Sequence, residues 1–167
     1  MKDIHTDHVG SLLRPRELLD AREAFADGTI GSAELKAAEN RAIDHVVTLQ
    51  EQAGCEIITD GELRRLSFQS QIMECIDGFG EWDLEAFLWG DWYGEGLEPW
   101  HRRRPADLGG VAPLRRKRHL SAEEFTYLRA RTNRFAKVTV PSPSLLSSFW
   151  SPTRSREAYP TLPDFLQ

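Results

Sequence analysis

The stretch SAELKAAENRAIDHVVTLQEQAGCEIITDGE, residues 32–62, decides the fold class. Its apolar residues recur at spacings of three and four, which predicts one amphipathic helix. Ser32 is a favourable N-cap residue, and Gly54 predicts the end of the helix. The run from Cys55 to Thr59 then predicts a short strand that ends in a sharp turn. A long helix followed by a β-branched strand is typical of α/β proteins with parallel sheets.

Further elements are predicted on both sides of this unit. Pro15 suits the first turn of a helix over residues 16–26. Ser121 and Glu124 have the spacing of a capping box, which predicts a helix with Phe125 and Leu128 on its inner side. Residues 135–140 then predict another strand.

Residues from about 77 to 108 are predicted to be a long, aromatic-rich excursion from the regular fold. This segment holds four of the five tryptophans together with several glycines. Long loops in compact domains are uncommon and often functional. Two interpretations stay open, a packed lid or dimer surface and a wall of a ligand site. The tryptophans are Trp82, Trp89, Trp92 and Trp100.

Composition favours a soluble globular protein. The 167 residues are 40% hydrophobic and 28% charged, with a formal net charge of −5, so neither nucleic acid nor a membrane is expected as a partner. Two cysteines are too few for a disulfide framework, and a cytoplasmic location is expected. Basic residues do cluster over 102–104 and 115–118, where they either face an acidic ligand or are simply solvated.

Two short motifs lie at the ends of predicted strands. Val9, Gly10 and Ser11 follow the first segment, and Glu62 follows the strand that ends at Thr59. Ligands of parallel α/β folds bind at the carboxyl ends of strands. A Ser hydroxyl with backbone N–H groups can hold a carboxylate, and Glu62 can hold an ammonium. The motifs therefore predict a clamp for an amino-acid zwitterion, although each alone is also a common turn.

Other kinds of site are not indicated. The sequence contains no phosphate-binding Gly-rich loop and no G-x-S-x-G nucleophile motif. It also lacks the C-x-x-C and H-E-x-x-H spacings of metal sites, so no metal ligand set is predicted within the chain. His5 and His8 are three residues apart but lack a third ligand nearby.

The two strand-end motifs also carry a family resemblance. Residues 7–15, DHVGSLLRP, and residues 58–65, ITDGELRR, resemble the catalytic domain of cobalamin-independent methionine synthase. The resemblance extends to residues 137–143, KVTVPSP, and to the helix start near Tyr159. It implies that residues 1–167 are the first half, about four β/α units, of a TIM-type (β/α)₈ barrel.

The resemblance also implies a reaction and a set of site residues. Family members transfer a methyl group from methyltetrahydrofolate to the homocysteine thiol, using zinc and no cobalamin. Their zinc ligands lie in the second half of the barrel and are expected to be absent from this chain. The catalytic residues therefore stay unassigned. The substrate-binding roles map onto Val9, Gly10, Ser11 and Glu62, with His8 and Asp60 beside the same pocket.

Several functional alternatives stay open. The chain is expected to be a truncated, inactive methyltransferase, with an enzyme subunit completed by a second half as an alternative. It could also be a non-catalytic amino-acid-binding fragment, or another thiol methyltransferase or decarboxylase of the same superfamily. The unpaired edges of a half barrel predict a homo-oligomer or poor solubility.

Overall fold

The computed structural model describes residues 7–68, 70–80 and 109–167. They form two compact units. The first consists of residues 7–68 and 120–140, and the second of residues 70–80, 109–119 and 141–167. No helix in these described ranges is both long and apolar enough to cross a bilayer.

The first unit contains three helices and two short strands. The predicted first two helices are confirmed as α1 (Arg16–Ala26) and α2 (Ser32–Gln52). Ser32 is the first helical residue and Gly31 is the N-cap. The Gly31 N–H donates to Glu34 Oε2 at 2.8 Å. The other elements of this unit are β1 (Ile57–Thr59), α4 (Ala122–Arg129) and β4 (Phe135–Lys137).

Strands β1 and β4 pair in parallel, with Ile58 opposite Ala136. The α2 helix packs its apolar face on this pair and on α1. This arrangement confirms the α/β class predicted from the sequence. Burial of these aliphatic side chains stabilises the unit, at about 1.5–3 kcal/mol for each large one. The fully buried core residues are Leu18, Ile43, Val47, Ile58, Leu63 and Leu128.

The edge of β1 that faces away from β4 is closed by the side chain of Gln50. Its Oε1 accepts the Thr59 N–H at 3.0 Å, and its Nε2 donates to the Thr59 carbonyl at 2.8 Å and to the Val46 carbonyl at 2.9 Å. Gln50 is 5% exposed and Thr59 is 4% exposed. At Thr59 a side chain thus takes the place of a neighbouring strand.

The cap of α4 differs from its prediction. Ser121 does precede the helix, but its φ of 59° is left-handed and its side chain makes no capping hydrogen bond. Glu124, expected to complete the capping box, is buried at 4% exposure. Leu128 is buried as predicted, whereas Phe125 is 40% exposed. The buried face of α4 therefore carries Glu124 and Leu128, and not Phe125.

The second unit is built on an antiparallel hairpin that the sequence did not predict. Its elements are α3 (Ser70–Cys75), β2 (Ile76–Gly80), β3 (Gly109–Arg116), a 3₁₀ helix (Pro143–Phe149) and α5 (Leu162–Phe165). Strand β2 occupies the start of the predicted excursion and pairs antiparallel with β3. Residues 81–108, with the four tryptophans, lie outside the described residues.

A small apolar core holds the second unit together. Phe165 lies so close to Gly110 that a Cβ there would be 2.5 Å from its ring. Tyr159 meets Phe165 edge-on at 5.2 Å, a favourable aromatic geometry, and its hydroxyl accepts the Leu114 N–H at 2.7 Å. The buried members of this core are Ile72, Phe149 and Phe165.

Candidate functional site

A cleft of about 520 Å³ lies within the first unit, at the carboxyl ends of β1 and β4. Its position agrees with the expectation for a parallel α/β protein. Four of the predicted site residues line it, and Phe68, Thr139 and Val140 complete the lining. The predicted residues are Val9, Gly10, Ser11 and Glu62.

The segment before α1 is tied to the turn after β1. Residues 7–15 form neither helix nor strand. The Leu12 N–H donates to the Gly61 carbonyl at 3.0 Å, and Arg14 Nη2 donates to the Arg65 carbonyl at 2.7 Å. Lys137 Nζ donates to the His8 carbonyl at 2.7 Å and also pairs with Asp7. These bonds place Gly10 and Ser11 at the same cleft as Glu62.

The turn after β1 has an unusual backbone. Gly61 and Glu62 both have positive φ, at 65° and 56°. The left-handed region costs a non-glycine residue roughly 1–2 kcal/mol. Two side chains support the turn, since Thr59 Oγ1 accepts the Gly61 N–H at 3.1 Å and Asp60 Oδ1 accepts the Glu62 N–H at 3.0 Å. Strain held by its surroundings is common at functional sites.

The Glu62 carboxylate is held on one oxygen. Thr139 Oγ1 donates to Glu62 Oε1 at 2.6 Å, and Arg65 Nη1 lies 3.8 Å from the same oxygen. Arg65 Nη1 in turn donates to Thr139 Oγ1 at 3.1 Å, and its Nη2 donates to the Thr139 carbonyl. Within the described residues Glu62 Oε2 has no protein partner. One carboxylate oxygen is thus left for a ligand.

The segment before α1 brings hydrogen-bond donors to the cleft lining. The Ser11 hydroxyl and the N–H groups of Gly10 and Ser11 donate to no other residue of the ranges that the structure covers. Gly10 has a φ of 86°, a conformation that a residue with a Cβ rarely adopts. The rest of the lining is apolar, from Val9, Phe68 and Val140, which are 83%, 41% and 55% exposed. The cleft therefore combines polar groups with an apolar wall.

His8 and Asp60 do not line the cleft. Asp60 is 2% exposed, and its Oδ2 has no hydrogen-bond partner among the residues described. Burial raises the pKa of the Asp60 carboxyl, against the hydrogen bond from the Glu62 N–H and the positive charge of Arg65, which lower it. His8 Nε2 is also buried without a described partner. Both residues are near the cleft in sequence, since His8 precedes Val9 and Asp60 lies two residues before Glu62.

Reasoning from the sequence missed Phe68, Thr139 and Val140. Thr139 follows β4 by two residues, so the rule that places Ser11 and Glu62 at strand ends applies to it as well. Phe68 and Val140 carry no such signal, because an apolar side chain beside a Ser or Pro is common in any loop. Their position becomes evident only when the cleft is assembled.

The described residues gather no metal ligand set. Among residues 7–68, 70–80 and 109–167 no three His, Cys, Asp or Glu side chains lie close enough together to hold an ion. The basic residues at 115–118 lie at the end of β3 and directly after it. Their charge is partly neutralised, because Lys117 pairs with Asp77 at 3.0 Å and Arg118 with Glu74 at 3.7 Å.

The chain was compared with known proteins. No protein-family profile matches it. YxjH, a Bacillus subtilis protein of uncharacterised function, is 30% identical over 142 residues, which are 84% of this chain and 35% of YxjH. A 5-methyltetrahydropteroyltriglutamate–homocysteine methyltransferase of Haemophilus influenzae is 27% identical over 150 residues, which are 90% of this chain and 18% of that enzyme.

A solved structure is also similar. It belongs to a Listeria monocytogenes protein provisionally named a vitamin B12-independent methionine synthase. The TM-score is 0.61 at 32% identity, over 89% of this chain and 39% of that one. The resemblance predicted from the sequence is confirmed over most of the chain. The chain spans less than two fifths of the length of each of these relatives.

Proposed function

We propose that the cleft binds the zwitterion of a homocysteine-like amino acid, as expected for a chain similar to B12-independent methionine synthases. The observation that carries the proposal is that Glu62, Gly10 and Ser11 line the same cleft. These groups come from segments about 50 residues apart in the sequence and have complementary charge preferences.

Each part of the ligand has a partner in the cleft. The α-ammonium donates to Glu62 Oε2, the carboxylate oxygen that the described residues leave free. The α-carboxylate accepts from the Ser11 hydroxyl and from the N–H groups of Gly10 and Ser11. The methylene chain of the ligand packs on Phe68 and Val140, where removing apolar surface from water is favourable.

The reaction of the whole relatives is a wider proposal. The H. influenzae enzyme is named for methyl transfer from a methyltetrahydropteroyl donor to homocysteine, and this chain matches 18% of its length. We propose that residues 7–68 and 120–140 supply the amino-acid half of such a site, within the opening β/α units of a TIM-type barrel. A cytoplasmic location and a folate methyl donor belong to the same proposal.

Isothermal titration calorimetry of the purified chain tests the binding proposal. L-Homocysteine under reducing conditions is compared with 4-mercaptobutyrate, which lacks the ammonium, and with 3-mercaptopropylamine, which lacks the carboxylate. We expect both analogues to bind at least about tenfold more weakly, because a hydrogen bond to a charged group contributes about 1.5–3 kcal/mol. Equal affinity for all three thiols would contradict a zwitterion clamp.

Two variants locate the binding. We expect Glu62→Gln to weaken homocysteine binding by about tenfold or more and to leave 4-mercaptobutyrate binding unchanged. The matched control is Glu17→Gln, an exposed position in the first turn of α1. Homocysteine affinity unaffected by Glu62→Gln would move the site away from this cleft. Assay of methionine formation from methyltetrahydrofolate separately tests the wider proposal.

A further inference from the structure

We infer that Thr139 is a positioning residue that stops Arg65 from closing over the Glu62 carboxylate, an inference that rests on the proposed role of Glu62 in binding an ammonium. Thr139 lies 77 positions from Glu62 in the sequence and meets it at the cleft. Neither the motifs nor the comparisons assign it a role.

The direction of each hydrogen bond in this cluster is determined by chemistry. A guanidinium only donates, so Thr139 Oγ1 must accept the bond from Arg65 Nη1 at 3.1 Å. The single hydroxyl proton is then directed to Glu62 Oε1, at 2.6 Å. Thr139 thus donates to the acid and accepts from the base at the same time.

Arg65 is committed to Thr139 rather than to Glu62. Its two terminal nitrogens donate to the Thr139 hydroxyl and the Thr139 carbonyl. Its nearest approach to Glu62 is 3.8 Å, which is longer than a hydrogen bond. An arginine and a carboxylate readily form a bidentate pair when nothing separates them. Such a pair here would occupy both Glu62 oxygens and leave none for a ligand.

The burial of the cluster makes this competition strong. Arg65 is 1% exposed and Glu62 is 7% exposed, so water screens their attraction poorly. Arg65 is also anchored through its backbone, since its carbonyl accepts from Arg14. The guanidinium therefore needs an alternative acceptor close by, and the two oxygens of Thr139 supply it. The threonine hydroxyl acts as a spacer that keeps Glu62 Oε2 available.

The inference is tested with two substitutions of similar size. Thr139→Val removes the hydroxyl but keeps the branched shape, whereas Thr139→Ser keeps the hydroxyl. Thr126→Val, at an exposed position of α4, is the matched control. For each chain the measured quantity is the ratio of the affinities for L-homocysteine and 4-mercaptobutyrate, obtained by calorimetry. This ratio isolates the ammonium contact from any general loss of stability.

We expect the ratio to fall by about tenfold or more in Thr139→Val and to stay within about twofold of the unsubstituted chain in Thr139→Ser and Thr126→Val. An unchanged ratio in Thr139→Val would overturn the inference while leaving the proposed function intact. If the unsubstituted chain prefers homocysteine no more than its analogue, the proposed function fails instead.

A crystal structure of Thr139→Val tests the spacer even without a ligand. We expect Arg65 to move onto both carboxylate oxygens of Glu62, closing the present 3.8 Å separation to a hydrogen bond below about 3.2 Å. We expect Thr139→Ser to keep the present arrangement. A valine variant in which the Arg65–Glu62 distance is unchanged would show that Thr139 is not what separates the two charges.

Discussion

Replacing Gln50 with methionine tests the closure of the β1 edge. Methionine has a similar length and flexibility but can neither accept the Thr59 N–H nor donate to the Thr59 carbonyl. Thr59 is 4% exposed, so water does not easily replace the lost partner. The Val46 carbonyl loses only a second bond, because it lies within α2 and faces the helical N–H four residues on.

The expected loss of stability follows from the Thr59 N–H and C=O, which both lose their hydrogen-bond partner. Each buried unsatisfied donor or acceptor costs about 1–3 kcal/mol, and burying the more apolar methionine returns about 1 kcal/mol. We therefore expect the free energy of unfolding to fall by about 1–5 kcal/mol. At about 2–4 °C per kcal/mol for a chain of this size, the melting temperature falls by roughly 2–20 °C.

Urea unfolding and native-state hydrogen exchange measure the effect. We expect the Thr59 amide to exchange faster in Gln50→Met by more than the change in global stability accounts for. The control is Gln52→Met, an exposed position in the last turn of the same helix, where the change should stay within about 0.5 kcal/mol. If both variants unfold alike, the side-chain bridge to β1 contributes nothing and the reasoning is wrong.

Two further predictions concern the turn after β1. Gly61→Ala should destabilise the chain by about 2–4 kcal/mol, because φ is 65° and the new Cβ lies 3.0 Å from Leu12. The control is Gly28→Ala, at φ 74° with open space around the new Cβ, which should cost about 1 kcal/mol. Equal losses of stability in thermal unfolding would contradict the close contact at Gly61. Asp60→Asn should gain stability relative to the unsubstituted chain as the pH rises. Burial raises the pKa of Asp60 in the folded state, so the stability it contributes is complete below its usual value near 3.8 and is lost as the pH rises through the folded-state pKa. Urea titrations at pH 4 and pH 7 measure this, and a pH-independent difference would refute it.

Local signals explain what could be predicted from the sequence. Helix α1 begins where Pro15 indicates and helix α2 ends where Gly54 indicates, because these residues act on backbone groups next to them. Gly10 and Glu62 were predicted at one site because each belongs to a short motif at the end of a predicted strand. These predictions depend on residues that lie close to each position in the sequence.

The rest depends on contacts between distant segments. Thr139 meets Glu62 only after β1 and β4 have paired, and its place after a strand does not by itself show which residue it contacts. The hairpin of β2 and β3 pairs strands that are about 30 residues apart, and its bulge between Asp77 and Phe79 breaks the alternation that would have marked a strand. Ser121 has a left-handed backbone and makes no capping hydrogen bond, and Glu124 is buried, neither of which the spacing of the two residues indicates.

The left-handed backbone of Glu62 has a consequence for protein engineering. Glycine adopts a φ of 56° without strain, so Glu62→Gly relieves roughly 1–2 kcal/mol of backbone energy but deletes the carboxylate. A design score that counts only backbone strain would favour that exchange, although the buried Arg65 would then lose the carboxylate beside it. The position therefore marks a conflict between the backbone geometry and the charge that the proposed ligand needs. A library selected for ligand retention should keep the acid.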